Sequence, residues 1–377
     1  MTTEPRRASQ MDGLAVVTGL FLLTRALFAL VAAVVMRTSG RSLHDVISAW
    51  DVQHFEAIAL HGYAEKIDQA FFPGLPMLLR VGVWFDLPLG GLGVVIGLVT
   101  SWLAAVALYR MGGWFAAAWW LAAPTAVFTT VAYTEGPFCA AAFWAWERAR
   151  SRDWTSAALL GLLACSFRIS GLFLVGALGL LALAQTWTDH RRGELDARRS
   201  LAGVGLAVVP ALAIVGYFAH LHQLTGSWRA WLDAQQTGWA RGFTSPLGAL
   251  RNTLDSARPS AWPDRPRVAQ VFALEVISML VGTATSVACL ARRRIPEAGW
   301  VGIQVVAFAT SYWFMSVNRA VLLWFPLYLL LGQASTWRPR SAANLLVWRG
   351  VMGLVWLGSL AAGLWWAWLL YTGQWAS

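Results

Sequence analysis

Charge is scarce in this chain. Only 13% of its 377 residues are Asp, Glu, Lys or Arg, 58% are hydrophobic, and the mean hydropathy is +0.54. That is too little polar material to coat a soluble globule, so the composition points to a polytopic membrane protein. Lysine is almost missing: Lys66 is the only one among 29 basic residues, an arginine bias that suggests a high-GC bacterial genome. Cysteine is confined to Cys139, Cys165 and Cys289, each inside an apolar run and none at C-x-x-C spacing. This argues against a disulfide framework and a zinc site and leaves the three thiols as packing residues. The chain also lacks a P-loop, a G-x-G-x-x-G after a strand, a G-x-S-x-G elbow and a D-x-D. With no phosphate cradle and no soluble domain for a nucleotide, a cytosolic nucleotide-sugar is disfavoured as substrate. No cofactor is implied, and no ligand cluster argues for a metal, which leaves metal dependence undecided.

What the chain does have is apolar runs. A bilayer-spanning helix needs about 20 apolar residues, and spans are expected near 14–36, 91–109, 114–131, 137–149, 155–167, 171–187, 201–221, 268–291, 300–316, 320–336 and 347–371. The sequence therefore predicts an all-α bundle of about eleven transmembrane helices. The first is read as a retained helix, because no small-residue cleavage pattern follows "MTTEPRRASQMDG". Several runs are too short to cross alone, which suggests broken helices around a cavity. With a cytoplasmic N-terminus, the inner segments hold 16 basic against 8 acidic residues, while the outer ones balance at 10 and 10. The excess of +10 thus reads as topology and not as nucleic-acid binding. Two outer loops are long, 37–90 and 222–267, within a single membrane domain spanning 1–377. "AWLDAQQTGWARGF" (230–243) has the polar and aromatic mixture of a helix lying at the interface.

The first outer loop contains "SAWDVQHFEAIALHGY" (48–63). In a helix there, Asp51 and His54 share a face, and a carboxylate beside an imidazole can accept a hydroxyl proton. The competing reading is a capping box, in which Ser48 starts the helix and Asp51 merely ties its first turn. "AFFPGLPMLLR" (70–80) must break at Pro73 and Pro76, with Phe71 and Phe72 either lining a site or dipping into lipid. "AYTEGPF" (132–138) sets Tyr133 and Glu135 at an outer helix junction, where Glu135 either binds a partner or answers the helix dipole. Arg168, Arg25 and Arg319 stand where burial of charge is costly; Arg168 and Arg25 either clamp a phosphate with a planar donor fork or pair with Glu135 or Asp51, and Arg319 either clamps a phosphate or reaches to the headgroups. His190, His220, His222 and Glu275 read as structural.

"WDVQHFEAIALHGY" followed by "AFFPGLP" resembles the signature of the PIG-V family, whose members add the second mannose to glycosylphosphatidylinositol precursors, together with bacterial relatives. The likeness continues through "AYTEGPF", "FRISG", "DAQQTGWARGF" and "NRAVLLWFPLYLLLG", from about residue 14 to residue 335. One departure is that Ala320 follows Arg319 where the family generally has tyrosine. The resemblance implies a GT-C-like bundle with interfacial helices in the first outer loop, in a bacterial cell membrane with the site facing outside. It further implies transfer of mannose from a polyprenyl-phosphate sugar donor to a lipid or glycan acceptor, among membrane lipids. Asp51 would be the catalytic carboxylate, with Arg168, Arg319, His54 and Arg25 for the donor phosphate. Trp50, Glu135, Tyr133, Phe71, Phe72, Gln235 and Trp239 would contact substrate. Alternatives are a transporter or flippase of lipid-linked sugars, which would more often show internal repeats and midplane charges, and transfer of another polyprenyl-phosphate sugar.

Overall fold

The computed structural model describes residues 4–194 and 197–376; the side chains of 4–10 and 197–202, which include Arg6, Arg7, Arg198 and Arg199 of the inner basic count, lie outside the described residues. The described residues are helical throughout, and their only β-type pairing is an isolated bridge between Phe243 and Ser311. In chain order the helices are α1 (Glu4–Ser39), α2 (Leu43–Ile47), α3 (Asp51–His61), α4 (Gly74–Trp84), α5 (Leu89–Gly112), α6 (Trp114–Leu121), α7 (Glu135–Arg150), α8 (Trp154–Phe167) and α9 (Ser170–Arg192). They continue as α10 (Ala197–Thr225), α11 (Ala230–Trp239), α12 (Pro246–Ser256), α13 (Pro266–Ala291), α14 (Ile295–Ala309), α15 (Val317–Ala320), α16 (Phe325–Thr336) and α17 (Ala342–Tyr371).

Six of these are long and apolar enough to cross a membrane: α1, α5, α9, α10, α13 and α17. A seventh span arises if Val317–Leu323 and Phe325–Thr336, bent by 68°, are taken together. The chain is thus a multi-pass membrane protein, but the expected count of eleven is not confirmed. The difference lies in the short runs. At 1.5 Å per residue, α8 with 14 residues and α14 with 15 reach only about 21–23 Å, short of the roughly 30 Å hydrocarbon core. The expected span 114–131 stops at Leu121 and gives way to a 3-10 turn at Ala126–Thr129.

Helix α7 is the central post, with 13 of its 16 residues buried. It is packed by α5 and α8. Helix α5 turns a stripe of small residues inward, among them Gly90, Gly93, Gly97 and Ser101. A Cβ at Gly97 would sit 3.0 Å from the Val131 carbonyl oxygen and 3.1 Å from that of Thr129, so only a glycine lets the 129–134 segment lie this close. The bend before α16 leaves backbone carbonyls open, and indoles close them: Trp120 Nε1 donates to Leu322 O at 2.9 Å and Trp300 Nε1 to Leu323 O at 3.0 Å. Irregular backbone at this depth is tolerable only because protein donors satisfy it.

The expected break comes at Pro73, and α4 begins at Gly74; Pro76 makes no second break, because it falls in the first turn of α4, where no intrahelical N–H is required of it. A Cβ there would meet Ser166 Oγ at 2.6 Å and the Ser166 carbonyl oxygen at 2.8 Å, just ahead of Arg168. Gly74→Ala is therefore expected to cost about 1–3 kcal/mol by overpacking. A lower thermal-unfolding midpoint in detergent would register this, with reduced activity as Arg168 is pushed aside; an unchanged midpoint would show that the contact relaxes freely.

Candidate active site

Asp51 is the first residue of α3, and the residue before it explains its direction. Trp50 has φ 60° and ψ −124°, a conformation that costs a non-glycine residue about 1–3 kcal/mol unless its surroundings enforce it. They do so from both sides: the Trp50 indole donates to the Gln374 carbonyl at 3.1 Å, and the preceding Ser48 hydroxyl bonds Glu56 Oε1 at 2.9 Å. Ser48 ends α2 and does not begin α3, so the capping-box reading fails. Asp51 is left to point elsewhere.

It points at Arg319. Arg319 NH1 donates to Asp51 Oδ2 at 2.9 Å, while Oδ1 has no protein partner among the described residues. Arg319 NH1 also lies 3.7 Å from Glu135 Oε1, and Arg168 NH1 lies 2.6 Å from that same oxygen. The result is a row of alternating charge, Asp51, Arg319, Glu135, Arg168. Glu135 is fully buried, and its contact with Arg168 is an ion pair without hydrogen-bond alignment, since Arg168 NH1 donates instead to Thr134 Oγ1 at 2.9 Å. Glu135 stands at the N-terminal end of α7, against the positive end of the helix dipole. The Arg319 guanidinium sits 5.3 Å from the Tyr133 ring centroid and 5.4 Å from that of Phe128. Behind it, Glu275 accepts the backbone N–H of Ser316 at 2.9 Å and of Asn318 at 2.7 Å, fixing the turn that presents Arg319.

Asp51, Arg168 and Arg319 share the wall of one cavity of about 510 Å³. A third arginine, Arg241, lines it as well. Arg241 follows Ala240, whose left-handed φ of 51° ends α11 and turns the chain back, and its NH2 reaches the Met315 carbonyl at 3.4 Å. Burial pushes the Arg241 guanidinium down to about 10, with Arg319 and Arg168 adding to the fall and Asp51 and Glu275 opposing it. It remains a cation at neutral pH. Apolar side chains line the cavity too, among them Phe173 of α9 and Phe308 of α14. Gln304 also lines it, buried, with Nε2 on the Trp300 carbonyl and no partner for Oε1 among the described residues.

Phe71, Phe72, Gln235 and Trp239 also line the cavity. Both phenylalanines are buried against protein and not dipped into lipid: Phe71 packs on His54, Phe55 and Trp239, and Phe72 on Tyr217. Their backbone is held by a ring of donors. Tyr217 donates to the Gln69 and Phe71 carbonyls at 2.8 Å each, and Trp231 and Gln235 donate to Ala70 O at 3.2 and 3.3 Å.

Five other expected residues are not brought to the cavity wall. His54 Nδ1 pairs with Asp68 Oδ1 at 3.0 Å and its ring stacks on Phe71, so Asp68 takes it out of reach of a phosphate. Arg25 is buried between Phe21 and Phe28 and donates to Ala126 O at 3.4 Å and Thr129 Oγ1 at 3.1 Å, bracing the 3-10 turn. The Trp50 indole is spent on Gln374. Tyr133 and Glu135 stand one layer behind, against Arg319. Arg241, Asp68 and Tyr217 were not singled out from the sequence, although Arg241 stands within the "DAQQTGWARGF" stretch. Among the described residues no group of three His, Cys, Asp or Glu gathers as a metal-ligand set.

No family model matches the chain. Curated relatives do. Over 152 residues the chain is 35% identical to GPI alpha-1,6-mannosyltransferase 2 of Cricetulus griseus, an alignment covering 35% of this chain and 31% of that protein. The Homo sapiens protein of the same name is 36% identical over 152 residues, with the same coverage. The matched region is thus about a third of this chain and less than a third of those relatives.

Proposed function

We propose that this chain is an inverting mannosyltransferase of the GT-C class. It would move mannose from a polyprenyl-phosphate carrier to an acceptor hydroxyl on the face opposite the arginine-rich loops. The observation that carries this is the Asp51–Arg319 pair on the wall of a cavity that also holds Arg168 and Arg241 and has an apolar flank. The names of the mannosyltransferase relatives support the choice of sugar. In this reading, 37–90 and 222–267 are the outer segments that close over the site, since α3 and α11 both contribute to its wall.

The chemistry is one displacement. The acceptor oxygen attacks C1 of the mannose, the C1–O bond to phosphate breaks, and both electrons leave with the phosphate oxygen. The acceptor proton passes to the free Oδ1 of Asp51. Attack from the face opposite the leaving group converts a β-linked donor into an α-linked product. A phosphodiester leaves as a stable anion, so one carboxylate suffices where glycoside hydrolysis needs two. Arg168, Arg241 and Arg319 meet the departing charge as fixed donors. Phe173 and Phe308 face the first isoprene units, and Gln235 and Trp239 face sugar or acceptor.

The test is transfer of label by the purified full chain in vesicles containing a membrane lipid extract. Polyprenyl-phosphate [³H]mannose is expected to yield a labelled lipid or glycan, while GDP-[³H]mannose without the carrier yields none. Equal transfer from GDP-mannose would sink the donor assignment; translocation of the carrier with no product would mean transport.

Arg241→Gln separates binding from chemistry. Arg241 has no carboxylate partner among the described residues, so its loss is expected to raise KM for the donor about tenfold with a smaller fall in kcat. Initial rates against donor concentration measure both, and an unchanged KM would remove Arg241 from the phosphate contacts.

A further inference from the structure

At the far end of the molecule lies a second cavity, of about 460 Å³, between α1, α6, α17 and the end of α16. Its distance from the first follows from α17. The C-terminal end of that helix lies near Trp50, whose indole bonds Gln374, and Arg349 is 22 residues earlier, about 33 Å away at 1.5 Å per residue. The walls are apolar, with Leu20, Phe115, Met352 and Trp356 among them. Two hydrogen bonds tie them together: Trp356 Nε1 to Ala118 O at 3.0 Å, and Trp119 Nε1 to Ser335 Oγ at 2.9 Å. A Cβ at Gly353 would meet nothing within 4 Å, so the slot is open along α17. Beside it α17 presents exposed Leu346, Val347, Leu354 and Val355, an apolar helix face for acyl chains to cover.

The mouth is cationic. Arg338 and Arg349 line it, no carboxylate does, and neither guanidinium makes an ion pair or hydrogen bond among the described residues. Ser335 and Thr336 lie at the same rim, but their hydroxyls donate to the Leu331 and Gln333 carbonyls, which leaves the headgroup to the two arginines. We propose that this groove holds one phospholipid with a net negative headgroup, its phosphate on Arg338 and Arg349 and an acyl chain in the slot. Charge complementarity selects this occupant. Two guanidinium forks without counter-ions match a phosphate, and basic pockets between membrane helices on the arginine-rich side are placed for anionic headgroups. A zwitterionic lipid brings an amine that offsets the same phosphate, and a free phosphate would leave the apolar slot empty.

The experiment compares phosphatidylglycerol with phosphatidylcholine. The full chain is exchanged into micelles containing each lipid, partly delipidated, and weighed by native mass spectrometry. One phosphatidylglycerol per chain is expected to survive, held at least tenfold more tightly than phosphatidylcholine. Arg338→Gln with Arg349→Gln removes the headgroup contacts, and Gly353→Leu fills the slot; each is expected to lower retention of phosphatidylglycerol at least tenfold with the lipid-free unfolding midpoint unchanged. Equal retention of the two lipids, or undiminished retention in either variant, overturns the proposal. So does recovery of a hydrophobic polypeptide bound one-to-one in place of lipid. None of these readouts depends on Asp51 or on the transferase reading.

Discussion

Asp51→Asn is expected to transfer mannose between about a hundred and ten thousand times more slowly than the wild-type chain, the range that a positioned proton acceptor supplies. The substitution changes little else. An asparagine carbonyl can accept the same donation from Arg319 NH1 that Asp51 Oδ2 accepts at 2.9 Å. The start of α3 is fixed by Trp50 and Ser48, not by the Asp51 side chain. The fold should therefore persist, and the loss should appear in kcat. Labelled product formed at fixed enzyme, with the unfolding midpoint measured alongside, tests this. Wild-type turnover by the asparagine variant would remove Asp51 from proton transfer.

Arg319→Gln should do two kinds of damage. It strips a buried cation from two carboxylates, Asp51 and Glu135, of which Glu135 is wholly enclosed. Glu135 keeps Arg168 at 2.6 Å, so the stranded charge is Asp51, whose side chain is 21% exposed; the cost is expected below the about 3–5 kcal/mol of a fully buried pair that loses one partner. In the proposed reaction it also removes a donor to the departing phosphate, worth about a hundred- to a thousandfold in rate. A double-mutant cycle separates the two effects. Asp51→Asn combined with Arg319→Gln should recover part of the lost stability, since one stranded charge is gone, and recover no activity. Stability unaffected by Arg319→Gln alone would mean that the row of charges is not a unit. Arg319→Lys is expected to fall between the two, because a lysine keeps the charge without the planar fork.

How much of this could be read from the residues depends on what each side chain was competing for. The helical, membrane-spanning character was legible, because hydropathy needs no partner. The number of spans was not, because α7 is apolar for packing against protein, and α8 and α14 are apolar but too short to cross alone. Asp51, Arg168 and Arg319 stood out as charges in costly places, and the structure brings all three to one wall. The same argument failed for Arg25, whose cost is met by the carbonyl of Ala126 and the hydroxyl of Thr129, 101 and 104 residues away. His54 looked free beside Asp51, but Asp68 lies 14 residues on, across an irregular segment that spacing rules do not cover. The capping-box pattern failed because a left-handed Trp50 starts the helix two residues later than Ser48. Arg241 went unnoticed because a half-buried arginine in a loop carries no visible penalty until its neighbours Arg168 and Arg319 are known.

The Asp51–Arg319 pair joins residues 268 positions apart in the chain. During synthesis at about 5–20 residues per second, Asp51 is therefore made roughly 15–50 seconds before its counter-ion exists. Throughout that interval the first loop holds an unpaired carboxylate, and Glu135 and Arg168, once made, have only each other. Helices that insert early must wait beside the translocation machinery with the site open, and closure comes when the α15–α16 segment arrives. A chain split after α14 and supplied as two co-expressed pieces should consequently regain activity by reassembly in the bilayer, with the late piece acting as the part that switches the early one on.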